Sequence, residues 1–190
     1  MLASGGGTNL QALIDGLGPQ APARLYRVIS NRPDAGALDR ARQVGIPTAI
    51  LKNPLDAAEL LDAIGDADLV VLAGYLKLIP AAIVARFRHR LVNIHPALLP
   101  AFGGPGMYGR RVHEAVLASA VTESGATVHY VDEHYDRGPI IAQRRVPVLP
   151  GDTVDTLAQR VLTAEHELLP EVVLELAQRI LQERSDESDG

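Results

Sequence analysis

The chain of 190 residues contains no cysteine. That absence excludes disulfides, thiolate zinc sites, iron–sulfur clusters and a cysteine nucleophile, and it fits a reducing compartment. Long hydrophobic runs are missing as well. Stretches such as Leu69–Ala73 fall far short of the roughly 18 apolar residues of a membrane span. The N-terminus has neither the basic region nor the apolar stretch of a signal peptide. Positive charge is not in excess: 18 Lys+Arg against 23 Asp+Glu leave a net charge of −5. No basic field is available to track a nucleic-acid backbone. The expectation is a soluble cytoplasmic protein with neither nucleic acid nor membrane as partner. What the sequence does have is material for a core. Hydrophobic residues make up 47% and charged residues 22%, a balance that supports packing over disorder. The length corresponds to about one domain, and no internal repeat or domain boundary interrupts it.

Short apolar runs alternate with helical patterns through the first half. Leu25–Ser30, Pro47–Leu51, Asp68–Ala73 and Leu91–His95 read as strands, each rich in Val, Ile or Leu and bounded by turn formers. Between them lie helical candidates over 9–17, 35–44, 55–64 and 80–88. For the second of these Asp34 is the expected N-cap and Gly45 the terminator. This alternation implies parallel strands joined by crossover helices: an α/β fold with a Rossmann-like open, mostly parallel sheet covered on both faces. The second half changes character. Residues 100–109 carry four glycines and two prolines and read as a loop, a mobile flap or an ordinary connection. A helix over about 110–119 follows. Strands Ala126–Asp132 and Ile140–Val148 then form a hairpin around an acidic turn, with Pro147 pointing to an edge position. A long C-terminal helix starts near Asp152 and Thr153 and runs to about Leu181, with a kink or break expected at Pro170. The organisation expected is one domain over 1–181 and a polar, disordered tail over 182–190.

Four places could carry chemistry. The run Ser4-Gly5-Gly6-Gly7-Thr8-Asn9 precedes an apolar helical pattern. A glycine-rich turn feeding a helix N-terminus suits a phosphate; a plain turn capped by Thr8 or Asn9 is the other reading. The run has neither Walker nor dinucleotide spacing. Asn93 and His95 lie two apart on a strand that Pro96 ends, so both project to one side near its C-terminal end, where open α/β sheets bind ligands. Imidazole can move protons near neutral pH, and a carboxamide can donate to an oxyanion. Asp136 shares its turn with Asp132 and Glu133, and nothing local separates the three. His129 reads as a core or supporting histidine. Glu165 occupies the apolar stripe of Val154, Leu157, Val161 and Leu168. A buried carboxylate needs a partner, either a ligand group or an internal arginine. The six histidines include no metal-binding spacing, so no metal is expected.

Taken in order, Ala3–Leu10 (ASGGGTNL), Ile29–Arg32 (ISNR), Val70–Tyr75 (VVLAGY), Asn93–Pro100 (NIHPALLP) and Asp136–Ile141 (DRGPII) resemble the phosphoribosylglycinamide formyltransferases, folate-dependent enzymes of purine biosynthesis. The likeness runs from residue 1 to about 180. It implies transfer of a formyl group from 10-formyltetrahydrofolate, the co-substrate, to the amine of glycinamide ribonucleotide, without a metal. It further implies that Gly7, Thr8 and Asn9 hold the substrate phosphate, that Glu165 contacts substrate, and that Asn93, His95 and Asp136 form the catalytic trio. Leu76, Lys77, Leu78 and Ile79, with Asn93 and the turn Asp132, Glu133, His134, Tyr135 and Asp136, would frame the folate. A protonated His95 and Asn93 would stabilise the formyl oxygen, with Asp136 supporting the imidazole. The partners implied are small molecules, with the chain a monomer or homodimer. Other readings are a formyltetrahydrofolate deformylase, a formyltransferase with another acceptor, and a non-catalytic nucleotide-binding domain. Two departures stand out. Only Met1 and Leu2 precede Ala3, so the family's first strand is expected to be nearly absent, as with a mis-assigned start or a trimmed chain. The connection Asn53–Leu60 is short, leaving Lys52 as the nearest basic group for the folate's glutamate tail.

Overall fold

In the computed structural model, which describes residues 1–188, the alternating pattern builds a sheet flanked by helices on both faces. The elements are α1 (Thr8–Gly16), β1 (Val28–Ser30), α2 (Gly36–Gln43), β2 (Thr48–Ile50), α3 (Ala57–Ile64), β3 (Val70–Ala73), α4 (Ala81–Arg86), β4 (Leu91–His95), α5 (Arg110–Ala118), β5 (Glu123–Tyr130), β6 (Ile140–Pro147) and α6 (Val154–Ser188). β1 pairs parallel with β2, and β3 parallel with β4; β4–β5 and β5–β6 are antiparallel. β6, with Pro147 at its end, is the edge expected of it.

The first strand is nearly absent, as expected, but its remnant still bridges the two halves of the sheet. Leu2 bridges Ile29 of β1 and Leu72 of β3, both in parallel. Its N–H donates to the Val71 carbonyl at 2.8 Å, its carbonyl accepts from Ala73 N at 3.1 Å, and Ala3 N donates to the Ile29 carbonyl at 3.0 Å. Three residues therefore stitch β2–β1 to β3–β4–β5–β6, because a central position needs only a few backbone groups to satisfy neighbours on both sides. Leu2 and Ala3 are fully buried beneath the glycine-rich run.

Local chemistry explains the boundaries. Asp34 does not cap α2: it pairs with Arg32 at 2.7 Å, and Ala35 occupies the cap without a side-chain bond. At the other end Gly45 N donates to the Arg42 carbonyl (3.1 Å) and Ile46 N to the Ala41 carbonyl (2.9 Å), the paired bonds that close a helix C-terminus. α6 begins where Thr153 Oγ1 accepts from Thr156 N at 3.2 Å. It then runs through Pro170 as one 35-residue helix, so the expected kink or break does not end it. The proline ring lies against α1, where a Cβ on Gly16 would come within 3.1 Å of Pro170 Cβ. Leu157, Val161, Leu168, Leu169, Val172 and Leu176 bury one face of α6 against the sheet, and that packing outweighs one missing backbone bond. Residues 182–188 continue the helix, with Arg184 paired to Asp68, in place of the disordered tail expected there; the last two residues of that tail lie outside the described ones.

Val92 and Ile94 enter the core beneath α6, whereas Leu91 enters the cluster with α3 and α4. The alternation leaves Asn93 and His95 on one side of β4, as their spacing requires.

Candidate active site

A cavity of about 800 Å³ opens at the C-terminal ends of β3 and β4, between the start of α1, the 104–110 loop, the turn after β5 and the first turns of α6. It gathers residues from every candidate segment: Gly7, Thr8 and Asn9; Leu76, Lys77, Leu78 and Ile79; Asn93 and His95; Asp132, His134, Tyr135 and Asp136; and Glu165. Glu133 does not line it, so the turn contributes four of its five expected residues. Lys52 is also absent from the lining: its backbone N–H is taken by Glu59 at 2.7 Å. Lys77 and Arg110 are the lysine and arginine in the lining.

At the β4 end of the cavity, the Phe102 carbonyl is 2.8 Å from His95 Nε2. A carbonyl only accepts, so Nε2 carries the hydrogen, and Nδ1 faces Asp136 Oδ2 at 3.6 Å. His95 is buried. Burial lowers its pKa below the ordinary 6.5, more than the Asp136 charge and the Phe102 carbonyl raise it, and His129 lowers it further. Burial thus favours the neutral form of the resting imidazole, with Nδ1 as its basic atom. The expectation of a protonated His95 concerns the reacting state; in the resting site burial works against the proton. For Asp136, burial pushes the carboxyl up, but the nearby His129 and His95 imidazoles and the Gly104 N–H together hold it below its ordinary value. Gly104 N donates to Oδ2 at 2.9 Å.

His129 is the member that the residue pattern under-read. Strand pairing sets it directly opposite Asn93. Its Nδ1 donates to the Tyr130 carbonyl at 2.8 Å, so in the neutral ring Nε2 is an acceptor, and Asn93 Nδ2 lies 3.1 Å away. The amide is thereby oriented. One Nδ2 hydrogen goes to His129; the other makes only a 3.5 Å contact to Asp136 Oδ1, long enough to be given up to an oxyanion. No local signal singled His129 out, because its role comes from cross-strand register. Two side-chain-bearing residues here take left-handed backbone, Phe102 (φ 56°) and Asp136 (φ 57°). Strain of this kind collects at working sites. His113, buried on α5, also lines the cavity, and its Nδ1 has no partner.

At the opposite end, Gly7 caps α1 with φ 75° and no side-chain cap, so neither Thr8 nor Asn9 plays that part. A Cβ at position 7 would lie 2.6 Å from Ala37 Cα; only glycine fits. Asn9 Nδ2 instead donates to Glu165 Oε2 at 2.6 Å. That answers the question of the out-of-place carboxylate: its internal partner is an asparagine, not an arginine. Burial pushes the Glu165 carboxyl up to about 7, and the Asn9 bond only partly offsets it. Asn9 Oδ1 is itself buried without a partner. Polar groups this close, incompletely satisfied and facing a cavity, suit a ligand that completes them.

Sequence comparison matches the formyl transferase family over residues 1–173. The chain belongs to the formyl transferase family. It is 42% identical over 195 residues to the chloroplastic phosphoribosylglycinamide formyltransferase of Vigna unguiculata, covering 98% of this chain and 62% of that protein. The chain thus spans somewhat less than two thirds of that relative. Among solved structures, the phosphoribosylglycinamide formyltransferase of Anaplasma phagocytophilum superposes with a TM-score of 0.86 at 40% identity, covering 94% of this chain and 85% of that one. A formyltetrahydrofolate deformylase from Pseudomonas syringae shares the fold at TM-score 0.82 but only 27% identity, with 94% and 60% covered. The formyl transferase fold accounts for the arrangement above: an open sheet whose strand ends carry a glycine-rich turn and an Asn–His–Asp cluster in one cleft. Among the described residues no group of His, Asp and Glu is placed to hold a metal ion, and no helix is long and apolar enough to cross a membrane.

Proposed function

We propose that this chain transfers the formyl group of 10-formyltetrahydrofolate to the amine of glycinamide ribonucleotide, giving formylglycinamide ribonucleotide and tetrahydrofolate. The observation that carries the reading is that the Asn93–His95–Asp136 cluster and the Gly7–Asn9 loop open into one cavity. One end suits a phosphate, the other a reacting carbonyl. The lining of that cavity runs from the helix N-terminus to β4, where a phosphorylated acceptor would lie. The exposed apolar side chains of Leu76, Leu78 and Tyr135 at the rim offer a surface for a flat pteridine ring.

The residues divide the work as follows. Gly7, Thr8 and Asn9 bind the phosphate through backbone amides at the positive end of α1. Glu165, held by Asn9, accepts hydrogen bonds from the bound substrate. The amine nitrogen attacks the formyl carbon, a C–N bond forms, and the carbonyl oxygen becomes negative. Asn93, oriented by His129, donates to that oxygen. His95 takes a proton at Nδ1, where the Asp136 carboxylate stabilises the imidazolium. It returns the proton as the bond from carbon to the folate nitrogen breaks. The protein would act in the cytoplasm, as a monomer or homodimer.

Formyl transfer measured with and without glycinamide ribonucleotide tests the reading. Release of deformylated folate only with the ribonucleotide is the expected result. Release without it would make the protein a deformylase, and release in neither case would sink the enzymatic reading.

A further inference from the structure

We propose that Arg40 is a positioning residue for the phosphate loop: its guanidinium holds the Gly6–Gly7 peptide so that the Gly7 N–H faces the substrate phosphate. The inference rests on the functional reading above. Three successive carbonyls of the loop are tied down. Gly5 O accepts from Ala37 N at 3.1 Å and Gly7 O from Gln11 N at 3.0 Å, while Gly6 O accepts from Arg40 Nε at 2.8 Å. In a trans peptide the carbonyl and the following N–H point in opposite directions. Each tie therefore turns the next amide, of Gly6, Gly7 and Thr8, away from its anchor. Gly5, Gly7 and Thr8 line the cavity, whereas Gly6 and Arg40 do not. Arg40 thus stands behind the loop.

Two of the ties come from the backbones of α2 and α1. The middle one alone is made by a side chain, and it holds a peptide with glycine on both sides, where rotation meets no Cβ. A second bond, from Arg40 to Gln11 Oε1 at 3.0 Å, fixes the guanidinium between α2 and α1. Only a planar fork reaches both acceptors at once; an ammonium can replace one of them.

The test compares the unaltered chain with Arg40→Met and Arg40→Lys in formyl transfer, varying each substrate. Arg40→Met should raise KM for glycinamide ribonucleotide about tenfold, the worth of one phosphate hydrogen bond, with kcat and KM for the formyl folate nearly unchanged. Inorganic phosphate, used as a competitor, should weaken by the same factor. Arg40→Lys should recover part of the loss, and the defect should persist at high salt. An unchanged KM, or equal losses in kcat and both KM values, would overturn the proposal. So would a defect that fades with salt, since that marks charge acting through space. No transfer by the unaltered chain would sink the functional reading instead; phosphate affinity by calorimetry in the same three proteins would still decide the part played by Arg40.

Discussion

At the α1 end of the cavity the chain offers backbone; at the β4–β5 end it offers side chains. The first end depends on Gly7 at φ 75°, on carbonyls anchored to α2, and on the N-terminus of a helix. No side chain there has to ionise for an anion to be bound. The second end is made of buried titratable groups whose protonation is set by one another: His95 against Asp136 and Phe102, His129 against Asn93. Backbone sites fail when the chain cannot adopt the conformation. Side-chain sites fail when the chemistry changes while the fold survives. Substitutions at the two ends should therefore separate stability from turnover.

The largest effect belongs to the reacting end. His95→Ala should lower kcat by roughly 10²–10³, corresponding to about 2.7–4 kcal/mol of transition-state stabilisation, while thermal unfolding changes far less. The rate profile sharpens the point. With the His95 pKa held below 6.5 by burial, and Asp136, His129 and His113 the titratable groups around it, kcat should fall on the acid side as Nδ1 becomes protonated. Loss on the alkaline side would restore the protonated-imidazole mechanism.

Glu165, at the α1 end, should appear in stability without ligand. Below pH 4.5 it is protonated folded and unfolded; between 4.5 and about 7 only the unfolded chain releases the proton. Folded stability should decline with rising pH over that window, by up to ~3 kcal/mol at about 1.4 kcal/mol per pH unit. Glu165→Gln keeps an acceptor for Asn9, so denaturant titrations of the variant should show that slope flattened.

Gly7→Ala inverts the pattern of His95→Ala. A left-handed backbone with a Cβ against Ala37 should cost about 1–3 kcal/mol of stability, together with a raised KM for the ribonucleotide. A stable variant with an intact KM would show that the loop has room that the structure does not give it.

The smallest effect is expected for His129→Phe. It removes the acceptor that orients Asn93, worth about 1–1.5 kcal/mol, so kcat should fall roughly tenfold with both KM values little altered. A loss as large as that of His95→Ala would make His129 an equal partner in the chemistry, not a support.

Period and punctuation made most of the framework legible in the residues. β4 falls at Leu91–His95 as read, α1 to α5 begin and end within about two residues of expectation, and Gly45 closes α2. Long-range pairing was not legible. Asp34 had a local cap to make and made an ion pair instead, since Arg32 lies two residues away. Pro170 read as a break because the face that holds α6 together is supplied by α1 and the sheet. Residues 1–3 read as too short for a strand, yet two neighbours satisfy them at once.

The same division runs through the site. Asn93 and His95 share a side because strand geometry alternates residue by residue, and glycines before an apolar helical pattern read as a tight turn at a helix N-terminus because glycine tolerates such backbone. Those were properties of the sequence alone. It did not separate Asp136 from Asp132 and Glu133, pair Glu165 with Asn9 across 156 positions, or set the charge state of His95. These were decided by tertiary structure, because burial, register and the nearest opposite group exist only once distant segments meet.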